Sequence, residues 1–141
     1  MKKLTSVDYL VVHCSATQAK ADIGRAEIDK WHRQRKMLEI GYHYVIRRDG
    51  TLEIGRENDV MGAHVRGYNH NSIGICMIGG VDKDLKPEQN FETPQYTTLR
   101  SLLGYLKSNH PHAVIQGHRD FPGVAKACPS FDVMAWFDGA Q

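Results

Sequence analysis

No stretch of this sequence stays apolar long enough to cross a bilayer. The longest aliphatic run is Tyr9-Leu10-Val11-Val12, against the roughly 20 residues that a spanning helix needs. Met1-Lys2-Lys3-Leu4-Thr5-Ser6 has two lysines but no apolar segment behind them. No secretory signal is therefore expected, and the chain is placed in the cytoplasm of the cell that makes it. Charge of one sign is also missing, since 18 Lys and Arg against 16 Asp and Glu leave only +2. A dedicated nucleic-acid binder would carry a larger field, so any partner is read locally, by a site. Cysteine is scarce: Cys14, Cys76 and Cys128 are too few, and odd in number, for a disulfide framework. Repeats and low-complexity tracts are absent as well. With 13 Gly, 5 Pro, 41% hydrophobic and 24% charged residues, the composition excludes disordered, collagenous and coiled-coil chains. The 141 residues can bury roughly 68–70% of the unfolded surface, enough for one core but not for two. A single domain over 1–141 is expected, with its core at about 7–137.

What the chain has in excess is histidine, with 8 residues, the side chain that binds metals and moves protons near neutral pH. Val7 to His13 is a β-branched and aromatic run that opens into the polar His13-Cys14-Ser15-Ala16-Thr17, which predicts a buried strand with His13 at its tip. Between about Arg25 and Leu38, Ile28, Trp31 and Leu38 recur at helical spacing among Glu27, Lys30, Arg33 and Lys36. This predicts an amphipathic helix with a basic outer face. Two strand-like runs, 41–48 and 51–55, flank Asp49-Gly50, a strong signal for an antiparallel hairpin. A Gly-, Asn- and His-rich loop over 58–72 leads into the apolar run Ser72 to Ile78, a central strand bounded by Gly79-Gly80.

Thr93 as N-cap and Pro94 in the first turn begin the clearest helix, with Tyr96, Leu99, Leu102, Leu103 and Leu106 as its apolar stripe and Asn109 and Pro111 at its end. Ala113 to His118 reads as a strand with a histidine at its exit, and a loop through Cys128-Pro129 leads to a short helix around Phe131 to Phe137. The order of elements predicts a mixed α+β fold with a central mixed sheet flanked by helices.

His13 and His118 both end predicted strands, and Cys128 lies ten residues beyond His118. Two imidazoles and a thiolate are ligands that zinc selects, and three protein ligands leave a fourth position open, as catalytic sites do. Spacing alone does not bring the three together, and a lone His or Cys is more often a satisfied interior residue. Strand alternation separates neighbours: if His13 faces the metal, Cys14 faces away, and only one of Tyr42 and His43 lines the same cleft. Cys76 reads as a small buried hydrophobe. His32, His110 and His112 read as surface residues.

Several blocks carry a resemblance to a known family. They are Val12-His13-Cys14-Ser15-Ala16-Thr17, Gly41-Tyr42-His43-Tyr44 with Arg48-Asp49-Gly50-Thr51, Gly67-Tyr68-Asn69-His70-Asn71-Ser72-Ile73-Gly74, and Lys126-Ala127-Cys128-Pro129-Ser130-Phe131-Asp132. In this order they resemble the zinc-dependent N-acetylmuramoyl-L-alanine amidases of type 2, and among these the short phage endolysins. The resemblance implies one Zn2+ held by His13, His118 and Cys128, catalytic roles for Tyr42 and Lys126, and His64 in the substrate-binding cleft. Asn69, Asn71 and Ser72 are expected to shape the turn into the central strand. The implied fold is a mainly parallel sheet flanked by helices, shared with peptidoglycan recognition proteins.

The implied reaction is hydrolysis of the amide between N-acetylmuramic acid and L-alanine in peptidoglycan, during lysis of a host. In that setting the protein accumulates in the host cytoplasm and reaches the wall after a separate membrane-disrupting step. A zinc ion can bring the pKa of a water to about 7, and Lys126 can place positive charge where the tetrahedral oxygen becomes negative. An unperturbed phenol near 10 is a poor base at neutral pH, so Tyr42 is expected to orient the water or donate to the oxyanion. No His-Glu-x-x-His arrangement supplies a metalloprotease base. The segment Gly117-His118-Arg119-Asp120-Phe121-Pro122 departs from the short phage type and looks more like the wider amidase family.

Two other readings stay open. A recognition protein would hold peptidoglycan without cutting it, but such proteins commonly lack the cysteine ligand. Within the short phage group the resemblance also implies a phage RNA polymerase as a second partner, for which the basic residues Arg25, Lys30, Arg33, Arg35 and Lys36 offer a surface, although such a face serves an anionic wall polymer or solvation equally well. A zinc-deaminase reading fails for want of its His-x-Glu and Pro-Cys-x-x-Cys signature. No membrane insertion or partner subunit is expected, because all three ligands lie on one chain.

Overall fold

In the computed structural model residues 1–139 are described, so the last two positions of the expected domain lie outside the described residues. Strands β1 (Tyr9–Cys14), β2 (Tyr44–Ile46), β3 (Leu52–Ile54), β4 (Ser72–Met77) and β5 (Val114–Gly117) form one sheet in the order β3-β2-β4-β1-β5. Every pairing is parallel except that of β2 with β3, the hairpin predicted around Asp49-Gly50. Its turn closes where Gly50 N–H donates to the Arg47 carbonyl at 2.9 Å and Asp49 Oδ1 accepts from Thr51 N–H at 2.9 Å. Gly50 takes φ +89° there, a conformation open to glycine at little cost.

Three helices cover the sheet: α1 (Arg25–Gln34), α2 (Thr93–Asn109) and α3 (Val133–Gly139). Residues alternate across each strand, and the two faces are unlike. Leu10 and Val12 of β1 and Ile73, Ile75 and Met77 of β4 pack with Leu99, Leu102, Leu103 and Leu106 of α2 in the main core. On the opposite face Val45 and Cys76 pack with Ile28 of α1 and with Ile40, while Val11 packs with Val65 and Phe121. Cys76 is fully buried, the small hydrophobe expected of it. No helix among the described residues is long and apolar enough to cross a membrane.

Three boundaries differ from the sequence expectation. The first helix stops at Gln34 rather than Leu38, because Lys36 adopts φ +71° and turns the chain back. Leu38 is left 70% exposed and Trp31 40% exposed, so the buried stripe consists of Ile28 and His32 instead. At α2 the capping residue is Glu92 rather than Thr93, and its backbone N–H donates to Gln95 Oε1 at 2.9 Å. The terminal helix begins two residues later than expected, at Val133.

Candidate metal centre and cleft

Parallel strands all end on one side, and in open sheets ligands bind outside those carboxyl ends. Here β1 and β5 run in register with Val12 opposite Gly117, so the next residues, His13 and His118, emerge side by side. Their ring centroids are 4.7 Å apart. The loop after β5 brings Cys128 across to them. It is held where Arg119 N–H donates to the Cys128 carbonyl at 2.8 Å and Ser130 Oγ donates to the Gly80 carbonyl at 2.8 Å. Cys128 Sγ comes within 3.9 Å of His13 Nδ1. One donor atom from each of His13, His118 and Cys128 lies within 4.8 Å of the other two. Cys14, one residue from His13, is not in this group, but its side chain meets Cys128 and borders the same cleft.

The electrostatics suit a cation. Burial, followed by the neighbouring His64 and His118, holds His13 well below the ordinary 6.5, and burial with the nearby Lys126 lowers His118. Both rings are therefore neutral at pH 7 and offer lone pairs. The Cys128 thiol is driven well above its usual range by its contact with Cys14, by burial and by the neighbouring sulfurs. Only the Cys14 backbone N–H, which donates to Sγ at 3.2 Å, pulls the other way. A thiolate here calls for a positive charge beside it, and two imidazoles with a thiolate are a donor set that zinc takes.

A cleft of about 310 Å³ opens over these three residues, and Tyr42, Lys126, His64, His32 and Arg35 also line it. Tyr42 sits with its ring centroid 5.0 Å from that of His13. Burial, and then the Cys76, Cys128 and Cys14 sulfurs, hold its phenol well above 10, so the hydroxyl is a proton donor at neutral pH. Lys126 lies exposed at the rim. His43 points away into the protein, where Nε2 meets the Val60 carbonyl at 2.7 Å and Nδ1 accepts from Gly74 N–H at 3.0 Å. Of the Tyr42-His43 pair, only the tyrosine faces the cleft.

His64 stands behind His13, with Nδ1 2.8 Å from His13 Nε2 and Nε2 3.2 Å from Ser72 Oγ. Asn69 shapes the preceding turn, its Oδ1 accepting from the backbone N–H groups of His64 and Val65 at 2.8 and 2.9 Å. His32 corrects the surface expectation. It is 9% exposed, its Nδ1 accepts from Gly41 N–H at 2.9 Å, and its ring lies 5.5 Å from that of Tyr42. With Nδ1 accepting, the proton of the neutral ring is on Nε2. The available signal was its position four residues after Ile28, on the same helix face. Of the other two, His112 is exposed and His110 is partly so. The basic face is divided: Arg33 pairs with Asp29 at 2.8 Å, Arg25 Nε donates to the Ile54 carbonyl at 2.8 Å, and Arg35 turns to the cleft.

Comparisons with known proteins give the family of the chain. The profile of the N-acetylmuramoyl-L-alanine amidase family matches residues 3–131. An endolysin of Klebsiella phage KP32 is 47% identical over 136 residues, covering 96% of this chain and 89% of that protein. An endolysin of Escherichia phage T7 is 44% identical over 137 residues, 97% of this chain and 89% of that one. Among solved structures, the N-acetylmuramoyl-L-alanine amidase LysC from Clostridium intestinale superposes with a TM-score of 0.81 at 26% identity, covering 96% of this chain and 85% of LysC. With a family profile spanning nearly the whole fold and relatives this similar over nearly their whole length, the chain belongs to the N-acetylmuramoyl-L-alanine amidase family.

Proposed function

We propose that the protein is a zinc-dependent phage or prophage endolysin that hydrolyses the amide between N-acetylmuramic acid and L-alanine in peptidoglycan, with His13, His118 and Cys128 as the metal ligands. The convergence of these three donors at the carboxyl ends of β1 and β5, open to a cleft, carries this reading. When bound there, zinc supplies Lewis acidity and an acidified water near neutral pH. The chain's own groups do the rest. Lys126 at the rim brings a positive charge toward the oxygen that becomes negative as the amide carbon turns tetrahedral. Tyr42, a protonated phenol against His13, donates a hydrogen bond to the same oxygen or holds the attacking water in line. His64 forms part of the cleft wall behind His13.

Digestion of purified peptidoglycan tests the reaction. New alanine amino termini without new reducing sugar ends, lost in Cys128→Ser, are expected. Reducing ends would mean a glycosidase, and sedimentable complexes with neither product would mean recognition without cleavage. The endolysin relatives support a wall-directed role, and arrival at the wall after a separate membrane-disrupting step belongs to this proposal. The second partner implied by the resemblance, a phage RNA polymerase, is a separate proposal: capture of the purified polymerase by the immobilised protein supports it, and no capture sinks it.

A further inference from the structure

Resting on the metal reading above, a further role falls to a residue that holds no metal. We propose that His64 is a positioning residue which, with Ser72, keeps the ring proton of His13 on Nε2 and so leaves Nδ1 bare for the ion. Three acceptors in a row fix the direction of every proton. The Tyr68 backbone carbonyl can only accept, and it takes the Ser72 hydroxyl proton at 2.7 Å. A serine has one such proton, so toward His64 Nε2, 3.2 Å away, Ser72 Oγ can only accept. His64 Nε2 therefore carries the ring proton, and in a neutral imidazole the other nitrogen is then a lone pair. His64 Nδ1 accepts from His13 Nε2–H at 2.8 Å. By the same rule His13 Nδ1 is left unprotonated, and it is this nitrogen that lies 3.9 Å from Cys128 Sγ.

The relay is built in rather than adventitious. A Cβ at Gly74 would lie 2.7 Å from His64 Cγ and Nδ1, so the ring rests on the bare backbone of β4. Its own backbone is clamped by Asn69 Oδ1. With Nδ1 given to His13 and Nε2 to Ser72, no polar atom of the ring is left to hydrogen-bond to substrate, which separates this role from substrate binding. Metal-bound histidines usually donate their second N–H to an acceptor that fixes tautomer and orientation, often a carboxylate. An imidazole acceptor orients the ligand equally well and adds no second negative charge beside the Cys128 thiolate.

Zinc affinity, measured by competition with a chromophoric chelator, and the visible spectrum of the cobalt(II) form test the proposal. His64→Phe removes the acceptor and is expected to weaken zinc by about 10- to 100-fold and to displace the cobalt d–d bands. His64→Asn, whose Oδ1 can accept in place of Nδ1, is expected to restore both toward wild type. Ser72→Ala, which frees the His64 tautomer, is expected to give a smaller loss. Long-range 15N–1H NMR of the metal-free wild type should show His13 and His64 as Nε2–H tautomers, a reading that stands even if His64→Phe does not fold. A His64 protonated on Nδ1, or wild-type affinity and spectrum in folded His64→Phe and Ser72→Ala, overturns the positioning role alone. A wild-type protein that binds neither metal overturns the metal reading on which it rests.

Discussion

The two faces of the sheet are built from the same strands, one residue out of phase, yet they are held together by different physics. Toward α2, β1 and β4 present Leu10, Val12, Ile73, Ile75 and Met77 to a leucine stripe, and stability there scales with apolar area and volume. On the other face the same strands supply His13 and Gly74, and His43 and His64 join them through single, directed hydrogen bonds. An apolar core tolerates volume-conserving exchange. A row of donors and acceptors does not, because reversing one proton reverses its neighbours. The fold thus keeps its bulk stability and its chemistry on opposite sides of a strand, where each can be disturbed separately.

The sharpest break on the chemical side is Cys128→Ser. Amidase activity is expected to fall to background and zinc affinity to collapse, while the metal-free protein retains its far-UV circular dichroism. A chelator should reproduce the loss in the wild type and lower its melting temperature to that of the variant, since bound zinc at 1,000 times its Kd adds about 4 kcal/mol. The converse break is Leu103→Ala on the α2 face. Urea titration should show a loss of about 2–5 kcal/mol, with zinc affinity of the folded fraction unchanged.

Lys126→Ala should lower kcat by about 100-fold or more, the usual cost of one oxyanion partner, with unchanged zinc affinity and melting temperature. An equal loss of zinc would assign the lysine to the metal site instead. Tyr42→Phe should act on kcat in the same direction but less strongly than Lys126→Ala, since a neutral hydroxyl stabilises the developing charge less than an ammonium does.

The smallest effect is pH-dependent and separates the faces again. Burial, aided by the nearby Arg56 and opposed by the Val60 carbonyl, holds His43 below its ordinary 6.5. The folded state then binds fewer protons than the unfolded one, so stability is complete above pH 6.5 and declines as pH falls through and below that value. Urea midpoints of the metal-free protein between pH 7.5 and 5 should fall with the summed effect of His43 and of His13, His32, His64 and His118, which burial also holds low, and His43→Gln should make the slope shallower by one residue's share. No change in slope would remove His43 from the account.

The α2 face was the more legible in sequence. Its leucines repeat at helical spacing, the Asp-Gly hairpin announces itself, and the apolar run at 72–78 has only one sensible place in a sheet. On the other face legibility depended on the residue. Alternation separates Tyr42 from His43 as expected, whereas Cys14, expected to face away, borders the cleft against Cys128. His32 was missed because the helix was drawn through to Leu38, and only the positive φ of Lys36 shows why Leu38 cannot share a stripe with Ile28. The relay through His64 had one sequence trace. A glycine inside an apolar strand, Gly74, often marks a close approach by another group, but nothing in the sequence says that the group is a histidine ring. Direction of a proton is set by geometry at 3 Å, and composition carries no record of it.

The donors at 13 and 128 are 115 positions apart, the first on the earliest strand and the last just before the final helix. With His13 and Cys128 as the proposed metal ligands, a chain emerging from the ribosome displays the first long before the last, and the proposed metal centre cannot form until nearly the whole fold has been threaded. Once captured, the ion ties the beginning of the chain to its end and closes a loop almost as long as the molecule, in the manner of a crosslink whose value grows with the length it encloses. On the proposed reading, metal uptake is a late checkpoint of synthesis: a nascent or truncated chain is chemically silent, and activity is switched on only when the polypeptide has met itself.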